Sequence, residues 1–411
     1  MQGEYKNPFR PGAGHMPLYL AGRAKEIGEF SKLLSQETIL DNLVLTGLRG
    51  VGKTVLLENF KPIAIRERWL WVGTDLSESA SLSEENIAIR LITDLSVVTS
   101  NILVGTHDNR IPGFVSSIET VPLYLNFNVL LEIYKNTPGL VIDKLKNTLQ
   151  ITWEHLKPKG SMGIIFAYDE AQNLSDHRAK EQYPLSLLLD LFQSIQRQRI
   201  PFMLIFTGLP TLFPKLVEAR TYAERMFHLL FLHNLNEQDS KDAILKPIES
   251  SERPIKLSKE WVQHIIKMSG GYPYFIQFIG REVYDVALQK FNAGEKLTIP
   301  TAEIMRKLDA DFFSGRWAKA TDRQRELLTV IAQLQNADLE FTVQEIVELS
   351  IEKTTKPFSN SHVNQMLSSL SNTGLVYKNR FGKYSFAVPL LGQFILRQLK
   401  EKNTRMFENK E

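Results

Sequence analysis

The 411-residue chain reads as an α/β protein: a parallel sheet with helices on both faces, then a small helical lid, then a C-terminal winged-helix domain. Three observations predict this. Residues 46–60, TGLRGVGKTVLLENF, set a glycine-rich loop between a short apolar run and a helical pattern. Residues 163–170, GIIFAYDE, end a second apolar run in two acidic residues. From Thr321 onward, three short helical patterns precede two β-prone runs around NRFGK. The expected limits are 1–235 for the α/β domain, 236–318 for the lid, 319–400 for the winged helix and 401–411 for a flexible tail.

Asn42-Leu43-Val44-Leu45-Thr46 is the first strand, short and apolar enough to be buried on both faces. Gly47, Gly52, Lys53 and Thr54 then satisfy G-x-x-x-x-G-K-[ST]. In such a loop the backbone N–H groups of Gly47, Leu48, Arg49, Gly50, Val51 and Gly52 turn inward toward phosphate oxygens, and Val55 follows in the first turn of the helix. Lys53 reaches the outer phosphates and the Thr54 hydroxyl ligates Mg²⁺. Val55, Leu56 and Phe60 fall at helical spacing, so the loop opens onto a helix N-terminus that favours an anion.

The second strand of the site is Ile164-Ile165-Phe166-Ala167, with Asp169 and Glu170 at its carboxyl end, where open α/β sheets bind ligands. Asp169 is expected to hold Mg²⁺ and Glu170 to polarise the attacking water. A third strand, Phe202 to Phe206, ends at Thr207-Gly208. Thr207 is read as facing the γ-phosphate or the water; a plain turn residue would look the same. In TYAERMFHLLFLHNL, residues 221–235, Arg225 stands just before a β-prone run from Met226 to Leu232. It is the candidate finger on a neighbouring subunit's transition state, with Arg220 second, and each reads equally as a surface charge. No N-K-x-D motif is present, which argues against GTP.

About 115 residues separate Lys53 from Asp169, and the excess lies near 101–140. Val121, Leu123, Leu125, Phe127 and Val129 alternate with polar or turn-prone neighbours, predicting an inserted β-hairpin over about 105–130. Ile142, Leu145, Leu149, Trp153 and Leu156 then mark a helix. Farther on, helices are expected to start at Thr321, Thr342 and Ser359, with Leu375-Val376-Tyr377 and Tyr384-Ser385-Phe386 as the wing. The third helix turns His362, Asn364, Gln365, Ser368 and Asn372 outward and contains no Lys or Arg. Asn364 and Gln365 suit adenine edges of double-stranded DNA, while Lys378, Arg380 and Lys383 on the wing suit its phosphates. A protein partner is the other reading of the same module.

Composition sets the outer limits. The net charge of +3 permits an acidic partner without demanding nucleic acid. There is no cysteine, so disulfides, Cys-ligated zinc and Fe–S clusters are excluded. The start, MQGEYKNPFRPGAG, lacks the pattern of a signal peptide, and no apolar run nears the ~18 residues of a membrane helix, so a cytoplasmic protein without membrane contact is expected.

In order along the chain, LAGRAKEIGEF (20–30), GLRGVGKT, IIFAYDEAQNL (164–174), FTGLP (206–210), YAERMF (222–227) and GGYPYFIQ (270–277) resemble the AAA+ ATPases of the origin-recognition-like group and their STAND-type relatives. The resemblance covers most of the chain. It implies an ATPase that uses ATP and Mg²⁺ and assembles into homo-oligomers. It also implies that Gly22 and Arg23 pack near the adenine and that Tyr272 and Pro273 approach the nucleotide from the lid. Many AAA+ proteins carry an arginine at that lid position; this chain has Gly270-Gly271-Tyr272-Pro273 instead. Two functions follow: an ATP-hydrolysing switch that remodels or marks DNA, and a signalling switch whose winged helix binds protein. A scaffold with negligible turnover is the third, and the intact Lys53, Asp169 and Glu170 argue against it.

Overall fold

The computed structural model describes residues 6–110, 118–251, 255–380 and 382–408 and divides into two compact units. The α/β unit comprises residues 24–46 and 53–231; the other comprises 1–23, 47–52 and 232–411. The α/β unit carries α1 (Ala24–Leu34), β1 (Asn42–Gly47), α2 (Lys53–Arg66), β2 (Trp69–Val72) and α3 (Glu84–Thr99). β3 (Leu103–Arg110), β4 (Ile118–Tyr124), α4 (Phe127–Asn136), α5 (Val141–Leu156) and β5 (Gly163–Tyr168) follow. α6 (Pro184–Arg197), β6 (Phe202–Gly208), α7 (Leu212–Ala219), α8 (Ala223–Met226) and β7 (Phe227–Leu232) complete it.

Five strands form one sheet in the order β2-β5-β6-β1-β7, with β2–β5, β5–β6 and β6–β1 paired in parallel. Every residue of β1, β5 and β6 is buried, as expected for strands covered on both faces. The phosphate-loop strand and the acidic strand are not neighbours, because β6 lies between them. Register follows from that order: Thr46 pairs Gly208, and Tyr168 pairs Phe206. The loop entrance, Thr207 and Asp169 therefore leave the sheet side by side at its carboxyl edge. β1 is also the point where the strand order reverses, the place at which open α/β sheets bind ligands.

Asn42 anchors this arrangement. Its buried amide donates to Gln196 Oε1 and to the Met226 carbonyl, and its oxygen accepts from Leu204 N and Gln196 Nε2. One polar side chain thus links β1, β6, α6 and the end of α8. Around it, Phe166, Phe192 and Phe202 pack edge-on or tilted at 5.1–5.8 Å.

The insertion departs from the expected strand pattern at its end. β3 and β4 pair antiparallel, but β4 stops at Tyr124 and Phe127 and Val129 belong to α4. The Asn126 side chain accepts from Val129 N at 3.2 Å and caps that helix. Leu130 and Tyr134, one helical turn apart, are its buried face. A helix cap overrode the period-two alternation. The turn of the insertion lies outside the described residues.

The second unit continues with α9 (Glu237–Glu249), α10 (Lys259–Ser269), α11 (Pro273–Ala293), α12 (Thr301–Leu308), a π-helical stretch Asp309–Ser314 and α13 (Gly315–Trp317). Then come α14 (Asp322–Ala332), α15 (Val343–Lys353), α16 (Asn360–Asn372), β8 (Val376–Arg380), β9 (Lys383–Phe386) and α17 (Leu391–Glu408). Thr321, Thr342 and Ser359 cap α14, α15 and α16 with their hydroxyls, and Phe341 bridges Tyr384 at the foot of the β8–β9 hairpin, which completes a winged helix. Lid and winged helix share one continuous core. The Phe275, Phe313 and Phe394 rings follow one another at 5.8 and 5.1 Å. Residues 401–408, expected as a flexible tail, extend α17. The apolar positions Leu391, Phe394 and Ile395 are buried, so the helix is nucleated by packing well before its charged end.

Candidate functional site

In the α/β unit, α2 begins at Lys53, so the first N–H groups of the helix meet no intrahelical carbonyl and present a partial positive charge. The Thr54 hydroxyl donates to Asp169 Oδ2 at 2.5 Å. Asp169 is 5% exposed, and burial raises its carboxyl above the usual aspartate range against the opposing pull of Thr54, the Glu170 amide and the Lys53 charge. A cation beside this carboxylate would supply the counter-charge that burial withholds, and the Thr54 hydroxyl oxygen offers a second donor next to it. Among the described residues no group of three or more His, Cys, Asp or Glu side chains gathers into a metal cage. A Thr hydroxyl and one carboxylate fit Mg²⁺, which keeps waters and takes further ligands from phosphates.

Backbone contacts hold Asp169 in place. Its N–H donates to Thr74 O and its carbonyl accepts from Leu76 N, extending the β2–β5 pairing by one bridge. Glu170 then adopts a left-handed conformation, φ 51°, which is strained for a residue with a Cβ. Three hydrogen bonds keep it there: Glu170 N to Asp169 Oδ1 at 2.8 Å, Asn173 N to Glu170 O at 3.0 Å, and Gln172 Nε2 to Glu170 Oε2. Thr207, at the tip of β6, is fully buried, and its Oγ1 has no hydrogen-bond partner, as is true of Thr46 Oγ1 at the tip of β1. Unsatisfied buried hydroxyls are costly and mark places where a ligand or water belongs.

Arg225 lies in the short helix α8, two residues before β7 begins, and its side chain is exposed. Turn bonds from Ala223 N to Arg220 O and from Arg225 N to Tyr222 O form this short helix ahead of the run, which becomes β7 from Phe227 onward; only Met226 falls in the helix instead. Arg220, the second candidate finger, is committed within its own unit. Its guanidinium pairs with Asp190 at 2.6 Å and donates to Ser186 Oγ.

In the second unit, Gly50 and Gly52 take positive φ values of 75° and 93°. A Cβ at Gly52 would meet nothing within 4 Å, whereas one at Gly50 would lie 3.0 Å from Tyr274 Cβ. The Gly50 carbonyl accepts from Tyr274 N at 3.1 Å, so the first turn of α11 is bonded directly to the loop. Tyr272 stands at the N-cap position of that helix without a side-chain capping bond and Pro273 occupies its first position, while Gly270 and Gly271 turn left-handed before it. Arg23 is 6% exposed and donates to the carbonyls of Val51 and His233, bracing the loop from the N-terminal side beside Gly22. Leu48 and Arg49 are half-buried. Arg316, which follows the π-helical stretch, sits over the Phe312 ring at 4.2 Å; burial and the nearby Arg49 charge disfavour its protonated form.

The winged helix buries Val363, Leu367 and Leu370 and exposes His362, Asn364, Gln365, Ser368 and Asn372. Lys378 is exposed and Lys383 half-buried; the Arg380 side chain lies outside the described residues. A cavity of about 750 Å³ opens beside α16, lined among others by Arg323, Gln324, Lys356, His362 and Gln365.

Sequence reasoning passed over Gln172, Tyr274 and Arg316. Gln172 was legible as the fourth residue of DEAQ, but two of its partners, Leu209 and Lys215, lie beyond the end of β6. Tyr274 and Arg316 meet the loop only through the packing of the lid.

Comparison with known proteins places this fold. Residues 310–395 match a family described as a domain of unknown function (DUF8462). No curated protein matches the chain in sequence. Among solved structures, the Walker-type ATPase PABY2304 of Pyrococcus abyssi is similar at 16% identity and a TM-score of 0.52, covering 92% of this chain and 96% of its own. The ADP form of the Aeropyrum pernix ORC2 protein is similar at 13% identity and a TM-score of 0.54, covering 94% and 97%. The same ORC2 protein in ADPNP–ADP complexes gives 13% and 0.50, covering 96% and 98%. This chain therefore shares its fold with that Walker-type ATPase and that ORC2 protein: a five-stranded parallel sheet with helices, followed by a helical lid and a winged helix.

Proposed function

We propose that this protein is an ATP-hydrolysing switch that assembles with copies of itself and acts on DNA through its winged helix. The observation that carries the enzymatic part is the hydrogen bond from half-buried Thr54 to buried Asp169, with Glu170 strained beside it. In this reading the loop amides from Gly47 to Gly52 cradle the phosphates, with Lys53 on the outer ones and Val55 in the helix turn beneath. Thr54 and Asp169 hold Mg²⁺, which neutralises phosphate charge when bound. Glu170 takes up proton density from the attacking water, and the unpartnered Thr207 hydroxyl bonds the water or the γ-phosphate. Gly22, Arg23, Tyr272 and Pro273 border the nucleoside side, and exposed Arg225 serves a neighbouring subunit. Among the described residues no helix is long and apolar enough to cross a membrane; we place the protein in the cytoplasm.

Two variants test the enzymatic part. Lys53→Ala is expected to abolish ATP binding, because a cation leaves the phosphate cradle. Glu170→Gln is expected to bind ATP normally and lose turnover by roughly 10²–10⁴-fold, the usual scale for a general base. Equal loss of affinity in both would sink the division of roles.

One observation favours a protein partner for the winged helix instead. The cavity beside α16 is concave, and its Arg323 is already engaged by Glu326 and the Lys356 carbonyl. In this second reading the cycle is a signalling switch, and a salt-titrated duplex-binding assay separates the two.

A further inference from the structure

Gln172, half-buried in the short 3-10 helix Ala171–Asn173, makes contacts that this helix does not itself require. Its Nε2 donates to the Glu170 carboxylate. Its Oε1 accepts from Leu209 N at 3.1 Å, two residues beyond Thr207. Its own carbonyl accepts from Lys215 Nζ at 2.7 Å, and burial lowers the pKa of that lysine. One amide therefore joins the acidic residue at the end of β5 to the segment that leaves β6.

The fit depends on Gly208. A Cβ there would stand 2.6 Å from Gln172 Oε1 and 2.8 Å from Leu212 Cδ2. Its φ is not in the left-handed region, so the backbone does not demand glycine. The room taken by the Gln172 amide, with Leu212 behind it, does. A side chain that merely filled space would not need both hydrogen-bonding faces of the amide matched, one to a carboxylate and the other to a backbone N–H.

We propose that Gln172 is the positioning residue of the hydrolytic site: it fixes the orientation of the Glu170 carboxylate and ties it to the tip of β6 that carries Thr207. This rests on the reading of Glu170 as the group that polarises water. The amide occupies Oε2, which leaves Oε1 to face the water, and holds the side chain of a residue whose backbone is already strained. Movement at Thr207 then reaches Glu170 through Leu209 and one amide, without crossing the sheet.

The test is steady-state ATP hydrolysis by the full chain with ATP-binding titrations alongside. Gln172→Met keeps the length and removes both hydrogen bonds. Its kcat is expected to fall roughly ten- to a hundredfold, the scale of a misplaced catalytic group, with KM and ATP affinity within about twofold of wild type. Gly208→Ala, which leaves Gln172 intact but displaces its amide, is expected to lower kcat in the same direction. In a Glu170→Gln background, Gln172→Met is expected to cost nothing further, since both act through one carboxylate. Unchanged or raised kcat in Gln172→Met, while Glu170→Gln abolishes turnover, overturns the positioning role alone. Full additivity of the two changes also overturns it. Wild-type turnover in Glu170→Gln overturns the reading of Glu170 and the proposal with it.

Discussion

Asp169 shows what burial does to a single carboxylate. Its pKa is raised, first by desolvation, so the folded chain holds the proton more tightly than the unfolded chain does. The stability this contributes is present below the ordinary aspartate value and is lost as pH rises through the folded pKa. Near neutral pH, the ligand-free protein therefore carries an ionised group in an unfavourable place. Asp169→Asn is expected to raise Tm in the absence of nucleotide, and to raise it more at pH 7 than near pH 4. The same variant is expected to lose the added stabilisation that Mg²⁺ with ATP gives the wild type. Thermal melts at the two pH values check both parts, and an Asn variant less stable than wild type at pH 7 would contradict the desolvation argument.

Among the elements, β1 depends on a polar residue that a hydrophobic count would pass over. Asn42→Val keeps a similar side-chain size and raises β-propensity but leaves Leu204 N without its acceptor and Met226 O without its donor. Gln196 Oε1 loses its donor as well, so a cost of roughly 2–4 kcal/mol or more is expected from three buried groups left unsatisfied, and chemical denaturation measures it. In the winged helix, α16 presents amides and hydroxyls, so any phosphate neutralisation falls to the wing. Replacing Lys378, Arg380 and Lys383 together with Ala is expected to reduce the slope of log K against log salt by at most about 0.9 for each phosphate no longer neutralised. Asn364→Ala is expected to change sequence preference and leave that slope alone. Duplex binding by the triple variant equal to wild type across the salt series removes the wing from the interface.

Taken as a whole, the molecule offers an exposed arginine, Arg225, on a short helix beside β7, while its neighbour Arg220 is held by Asp190. If Arg225 completes the site of another copy, turnover per subunit rises with protein concentration. Arg225→Ala is then expected to flatten that rise and spare ATP binding. Wild-type turnover that stays constant well below micromolar concentration excludes a required finger in trans.

Local chemistry is what the sequence by itself determined. A glycine-rich turn between an apolar run and a helix, an acidic pair closing a second apolar run, and hydroxyl caps at Thr321, Thr342 and Ser359 each act within a few residues, so their meaning survives without knowledge of the fold. The helix start at Asn126 was missed because its cap competes with a period-two alternation that is equally local. What only the tertiary structure decided depends on neighbours far apart in the chain. β6 comes between the loop strand and the acidic strand, which brings Gln172 to Leu209 and leaves Thr207 buried without a partner. The first turn of α11 bonds Gly50, more than two hundred residues away. Lid and winged helix fuse through Phe275, Phe313 and Phe394 into one core, though their sequence patterns read as separate domains. Periodicity reports which face of an element is buried; strand order and packing alone report what is buried against it.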